Sequence, residues 1–234
     1  MPRVVVLGCG TGVGKTRVSV ALVRELNRRR IPALGLKPIE SGVIRGAENP
    51  IPNSDAAALA AVSAAAIGMA HPLYALRNAV SPHLAARTEG VEIDLAAVRD
   101  WVGAAEAEFA LRIAPHRAHW TVLETAGGVF SPLGPGLSNF DLARVVSPAR
   151  WILVAADALG VLHDLSATLQ ALAARNQHVD HVVLSAAREP DASTGSNARE
   201  LAELRIVTPS AVLARNDDQG VSSLVDALLG RDES

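Results

Sequence analysis

The chain is poor in the groups that anchor many kinds of site. Its 234 residues include one cysteine, Cys9, so no intrachain disulfide can form and a cysteine-rich zinc site is excluded. The histidines are scattered, and none falls in an HExxH pattern. Neither sign of charge dominates. Lys and Arg number 22 against 24 Asp and Glu, a balance that gives no electrostatic footprint for nucleic acid. The densest basic stretch, RELNRRR (24–30), falls where a helix should end, and a helix carboxyl terminus favours positive charge in any case. No uninterrupted apolar run is long enough to cross a bilayer, so no membrane span is expected. The amino-terminal run VVVLG is too short for the apolar region of a signal peptide, and a cytoplasmic protein is the expectation.

Apolar residues make up 49% and charged residues 20%, the balance of a chain that folds around a core. With no internal repeat and no linker, residues 1–234 are expected to form a single domain. Val4–Leu7, Ile31–Leu36, Trp120–Leu123, Trp151–Ala155, His181–Leu184 and Ile206–Val207 read as strands. Helical spacing predicts helices over Arg17–Arg29, Asp55–Ala66 with Asp55 as cap, Ile93–Ile113, Phe140–Val146, His163–Ala174, Ser196–Leu204 and Val221–Leu229. Gly42–Asn53 and Gly127–Gly136 read as loops, and 71–92 as an irregular excursion. Strands alternating with helices predict an α/β fold whose parallel sheet is covered on both faces.

The stretch GCGTGVGKT (8–16) lies between the first strand and the first helix. A glycine-rich turn there presents successive N–H groups to phosphate oxygens, and the helix amino end adds a favourable dipole. The expected nucleotide site is Gly12, Val13, Gly14, Lys15, Thr16 and Arg17, with Lys15 on the terminal phosphates and Thr16 on magnesium. The spacing departs from GxxxxGK[ST], because Cys9 holds the first glycine position. In an open parallel sheet the other charged groups must come from the carboxyl ends of neighbouring strands. Lys37 and Glu124 end predicted strands, and Asp55 opens a helix. Thr16, Asp55 and Glu124 are a plausible oxygen set for Mg2+. Taken singly, Asp55 could be only a cap, Glu124 a structural carboxylate and Lys37 a solvated strand end.

Together with this loop, KPIESG (37–42), NSD (53–55), SPH (81–83), ETAGGVFSPL (124–133) and ADALGVLHD (156–164) make the chain resemble the dethiobiotin synthetase family. The resemblance spans nearly the whole chain. It implies a P-loop NTPase-like, three-layer fold with a seven-stranded, mainly parallel sheet, and a homodimer with its sites beside the interface. It implies an ATP-dependent cyclo-ligase that takes 7,8-diaminopelargonate and carbon dioxide or bicarbonate through a carbamate and a carbamic-phosphoric anhydride. ATP is then the co-substrate and Mg2+ the cofactor, with Lys37 and Lys15 as catalytic groups. The resemblance assigns Ser41, Ser81, Gly127, Gly128 and His163 to the substrate.

Three places depart from the family pattern. Thr125 stands where glycine is usual, and His163 where asparagine is frequent. Ser185, Ala186 and Ala187 stand where an asparagine reads the nucleotide base. Alanine cannot replace an amide's donor and acceptor, so base selection is expected either to be weak or to rely on backbone groups around Thr208, Pro209 and Ser210. A ParA/MinD-like assembly ATPase, a related amidoligase and a nucleotide-binding module without catalysis stay open as alternatives.

Overall fold

The computed structural model describes residues 1–43, 53–114, 118–215 and 219–230. In chain order these form β1 (Arg3–Gly8), α1 (Lys15–Arg28), β2 (Ala33–Leu36), β3 (Ile39–Ser41), α2 (Asp55–Val62), β4 (Tyr74–Leu76), α3 (Pro82–Thr88) and α4 (Leu95–Arg112). Next come β5 (Trp120–Glu124), β6 (Pro132–Gly134), β7 (Leu137–Ser138), α5 (Asn139–Val145), β8 (Arg150–Asp157) and α6 (Val161–Ala173). The last elements are β9 (His181–Ala186), α7 (Asn197–Glu203), β10 (Ala211–Leu213) and α8 (Gln219–Gly230).

The central sheet runs β10-β9-β8-β1-β5-β2, and its pairings are all parallel. Among the described residues this central sheet has six strands, not the seven the resemblance implies. Alternation along β1 sends Val4 and Val6 to one face, with α1, α2 and α8. It sends Val5 and Leu7 to the other, where α4, α5, α6 and α7 supply Phe109, Leu142, Leu165 and Leu201. Helices on both sides explain why the strands read as unbroken apolar runs. Among the described residues no helix is long and apolar enough to cross a membrane.

Several sequence expectations are corrected. The 71–92 stretch contains β4 and α3, and β4 pairs in parallel with β3 (Ile39↔Tyr74 through Ser41↔Leu76). The cap of α2 is Ser54, whose side chain accepts from Ala57 N at 3.0 Å, so Asp55 is the first helical residue and its carboxylate is free to face the sheet. The helix ends at Val62, before Ala66. Ile206–Val207 is not a strand. The paired segment is Ala211–Leu213, because pairing with β9 rather than apolar content decides which residues extend the sheet. Most of the expected Gly42–Asn53 loop lies outside the described residues.

The carboxyl end of α1 is tied to α8 through Glu25. Its carboxylate accepts from Arg28 at 2.6 and 2.7 Å, from Arg29 at 2.7 Å and from the Ser222 hydroxyl at 3.0 Å. Hydrogen bonding from Arg28 leads the effects that hold the carboxyl down at about 2, against an ordinary 4.5. A depressed carboxyl contributes its stability above the unfolded value and loses it as pH falls through the folded one. Glu25→Gln is therefore expected to cost about 1–2 kcal/mol at neutral pH. It should also flatten the fall in stability between pH 4.5 and 2, as read by urea denaturation across that range.

Candidate functional site

β5 lies between β1 and β2, so three adjacent strands deliver their carboxyl ends to one place. The loop 8–14 leaves β1, Glu124 ends β5 and Lys37 comes directly after β2. Cys9 N donates to Val154 O at 2.9 Å, which fastens the start of the loop to β8. The loop then turns into α1 through Gly14 at φ 93°, a left-handed conformation that favours glycine. A Cβ on Gly14 would also collide with the Ser185 side chain beneath it. Val13 folds its side chain back against Gly8 and Gly10, leaving the loop's outer surface open.

The charged groups meet directly. Glu124 is fully buried, and its Oε1 accepts from the Thr16 hydroxyl at 2.8 Å and from Lys37 Nζ at 2.7 Å. Lys37 Nζ also donates to Asp55 Oδ2. Burial acts to lower the Lys37 ammonium pKa, but Glu124 and Asp55 outweigh it and hold the group protonated. Lys15 is in the opposite position. Burial brings its ammonium down to about 8, with Lys37 adding to the fall and Glu124 and Asp55 opposing it. Its Nζ reaches back to Gly10 O at 3.4 Å.

A cavity of about 340 Å³ is lined by Gly12, Gly14, Lys15, Thr16, Lys37, Ser41, Asp55, Glu124 and Gly127, together with Thr11, Glu40 and Ala126. The residues fit a hard divalent cation. Glu124 Oε2 is buried with no hydrogen-bond partner among the described residues, and it belongs to the carboxylate that already bonds the Thr16 hydroxyl. An acceptor so placed suits a metal such as Mg2+, with Thr16, Asp55 and Glu124 as holders.

Other expected site residues stand elsewhere. Gly127, at φ 83°, lines the cavity, but the Gly128 N–H is engaged by Ser131 Oγ at 2.8 Å and faces into its own turn. Asn139, which the sequence reading missed, fixes that turn by donating to Ala126 O and Gly128 O at 2.6 and 2.9 Å. Ser81 precedes α3 and lies 3.0 Å from His83 Nδ1, outside the cavity lining. His163 is exposed in the first turn of α6 and does not line the cavity. Pro209 lies ahead of β10 and enters the sheet from the end away from the loop. The residues that leave β10 on the loop side are 214–215. There Arg17 donates to Leu213 O at 2.8 Å and to Ala214 O, and Arg215 donates to Ala187 O at 3.1 Å and to Arg188 O. The backbone groups on the loop side of the sheet are therefore those of 187–188 and 213–215, and Pro209 lies at the opposite end of β10.

Comparison with known proteins agrees with this fold. A family model described as an AAA domain matches residues 2–218. Solved structures of similar fold include the MinC:MinD cell division protein complex of Aquifex aeolicus, with TM-score 0.56, 10% identity and coverage of 98% of this chain and 96% of that one. The signal recognition particle receptor FtsY of Elizabethkingia anophelis has TM-score 0.54 at 14% identity, covering 97% and 64%. At such identities the likeness shows the P-loop NTPase-like fold alone. Curated sequences are nearer. The ATP-dependent dethiobiotin synthetase of Anaeromyxobacter dehalogenans (strain 2CP-C) is 36% identical over 91% of this chain and 90% of its own length. Its counterpart in Caulobacter sp. (strain K31) is 33% identical over 98% and 95%. A match that persists through β1, β5 and the last strand of the sheet is a match of the whole fold, and by it this chain belongs to the ATP-dependent dethiobiotin synthetase family.

Proposed function

We propose that this chain uses ATP to close a cyclic urea on 7,8-diaminopelargonate, giving dethiobiotin, ADP and phosphate. The observation that carries the reading is the meeting of Lys15, Thr16, Lys37, Asp55 and Glu124 around one cavity, with Ser41 and Gly127 on its wall. The names of the curated relatives supply the substrate.

One amine of the diamine adds to carbon dioxide and loses a proton, giving a carbamate. A carbamate oxygen then attacks the γ-phosphorus of ATP as the bond to ADP breaks. The second amine attacks the carbonyl of this mixed anhydride, phosphate leaves, and a further proton is lost as the ring closes. Phosphorylation turns a poor oxygen leaving group into a good one. Most of what remains for the protein is alignment and charge.

The N–H groups of the 12–16 turn surround the phosphates, and Lys15 pairs with the β- and γ-groups. Lys37 holds the carbamate and the phosphoryl group in transit. The Ser41 hydroxyl and the Gly127 backbone face the diamine side. Thr16, Asp55 and Glu124 hold Mg2+, which supplies a hard positive charge against the phosphate oxygens. Arg17 steadies the segment beneath the base. A homodimer belongs to the same reading. Leu159, 85% exposed, and the exposed His163 lie together at the amino end of α6, a surface a second copy would cover. A cytoplasmic location also belongs to it.

Incubation with diaminopelargonate, ¹³C-bicarbonate and Mg-ATP is expected to give singly labelled dethiobiotin by mass spectrometry, with phosphate release that requires the diamine. Turnover indifferent to the diamine would overturn the reading in favour of an assembly ATPase. Lys37→Ala should lower kcat about 100- to 1,000-fold while circular dichroism stays unchanged. Without a side-chain amide at 185–187, kcat/KM for ATP, CTP and GTP is expected to agree within about tenfold, because a site that makes no paired contact to a polar group discriminates weakly. Steady-state rates with each nucleotide measure this.

A further inference from the structure

We propose that Glu40 is a positioning residue that holds the main chain of Asp55 against Lys37 and Glu124, and so sets how tightly the divalent cation is bound. The inference rests on the metal role given above to Thr16, Asp55 and Glu124. Glu40 lies in β3, next to Ser41, and is 6% exposed. Its Oε1 accepts from Asp55 N at 2.7 Å and its Oε2 from Ala56 N at 3.1 Å. These are two of the first N–H groups of α2, which have no acceptor inside their own helix. Ser54 takes a third, at Ala57, so Ser54 fixes the helix locally while Glu40 fixes it to the sheet side of the cavity.

The side chains that share the cation would otherwise be unequally secured. Glu124 is fully buried at the end of an interior strand, whereas the Asp55 side chain is 42% exposed at a helix start. Lys37 and Glu40 belong to one short run, and both grip the same aspartate. Lys37 holds its carboxylate and Glu40 its backbone. A carboxylate suits this task because both oxygens accept. A glutamine in its place would keep one acceptor and turn an NH₂ group toward the second N–H. Mg2+ demands near-octahedral geometry at short distances, so a small displacement of Asp55 is costly to affinity.

The test uses Mn2+ as probe, with ADP present. Free Mn2+ is read by electron paramagnetic resonance for the unmodified chain, Glu40→Ala, Glu40→Gln, Asp55→Ala and the Glu40→Ala/Asp55→Ala pair. Glu40→Ala is expected to weaken Mn2+ binding about 10- to 100-fold. Glu40→Gln should recover part of that loss. In the Asp55→Ala background, Glu40→Ala should add nothing. The Mg2+ concentration for half-maximal turnover should rise with little change in the KM for the diamine. Unaltered Mn2+ binding in Glu40→Ala, or equal losses in both backgrounds, would overturn the proposal. If Glu40→Ala does not fold, Glu40→Gln alone decides, and binding equal to the unmodified chain overturns the proposal. If Asp55→Ala itself binds Mn2+ normally, the metal site falls and the tether with it. Loss in Asp55→Ala without loss in Glu40→Ala removes only the tether.

Discussion

The site depends on one buried carboxylate. Glu124 ends an interior strand, is shut off from water, and shares one oxygen between the Thr16 hydroxyl and the Lys37 ammonium. A charge in such a place is tolerated only when it is paired and hydrogen-bonded, so the strand ends that meet there are held by the same requirement. The charge balance is set by it too. The cavity wall carries two ammonium groups, Lys15 and Lys37, against the carboxylates of Glu40, Asp55 and Glu124. With every group ionised, a triphosphate would meet an excess of negative charge unless a divalent cation entered with it. Burial holds Lys15 near 8, still above neutral pH, and an arriving anion would raise it again by favouring the charged ammonium.

Much of this was legible in the sequence because two faces of the sheet are covered. β1, β5, β8 and β9 are apolar runs for that reason, and the loop and Lys37 could be placed because each begins where such a run stops. The short pairings were not legible. β3 and β4 are three residues each, in stretches broken by proline, and neither carries a period long enough to read. β10 was displaced because Ile206–Val207 is the more apolar pair, while register with β9 selects Ala211–Leu213. Glu40 stands inside KPIESG, but its hydrogen bonds come from the backbone N–H groups of Asp55 and Ala56, and no side-chain pattern signals such bonds.

Two departures from the family pattern now have physical accounts. Thr125 is absorbed into the sheet: both its N–H and its hydroxyl donate to Val6 O at 3.1 Å, and the residue is buried. It extends the β1–β5 junction by one residue and leaves Gly127 to make the turn at the cavity wall. The serine at 185 lies directly below Gly14, with its hydroxyl buried and unpartnered among the described residues. It packs under the phosphate loop and does not reach outward as an amide would.

The strand order also bears on how the polypeptide comes to be assembled. β1 and β2 are joined by one helix, yet they never touch as sheet neighbours, because the gap between them is filled by residues 120–124. During synthesis, the first hundred residues thus emerge with two edges waiting for a partner that does not yet exist. Contacts so distant in sequence slow folding and prolong the exposure of unpaired edges. A nascent chain of this enzyme should be a customer for chaperones until β5 has left the ribosome.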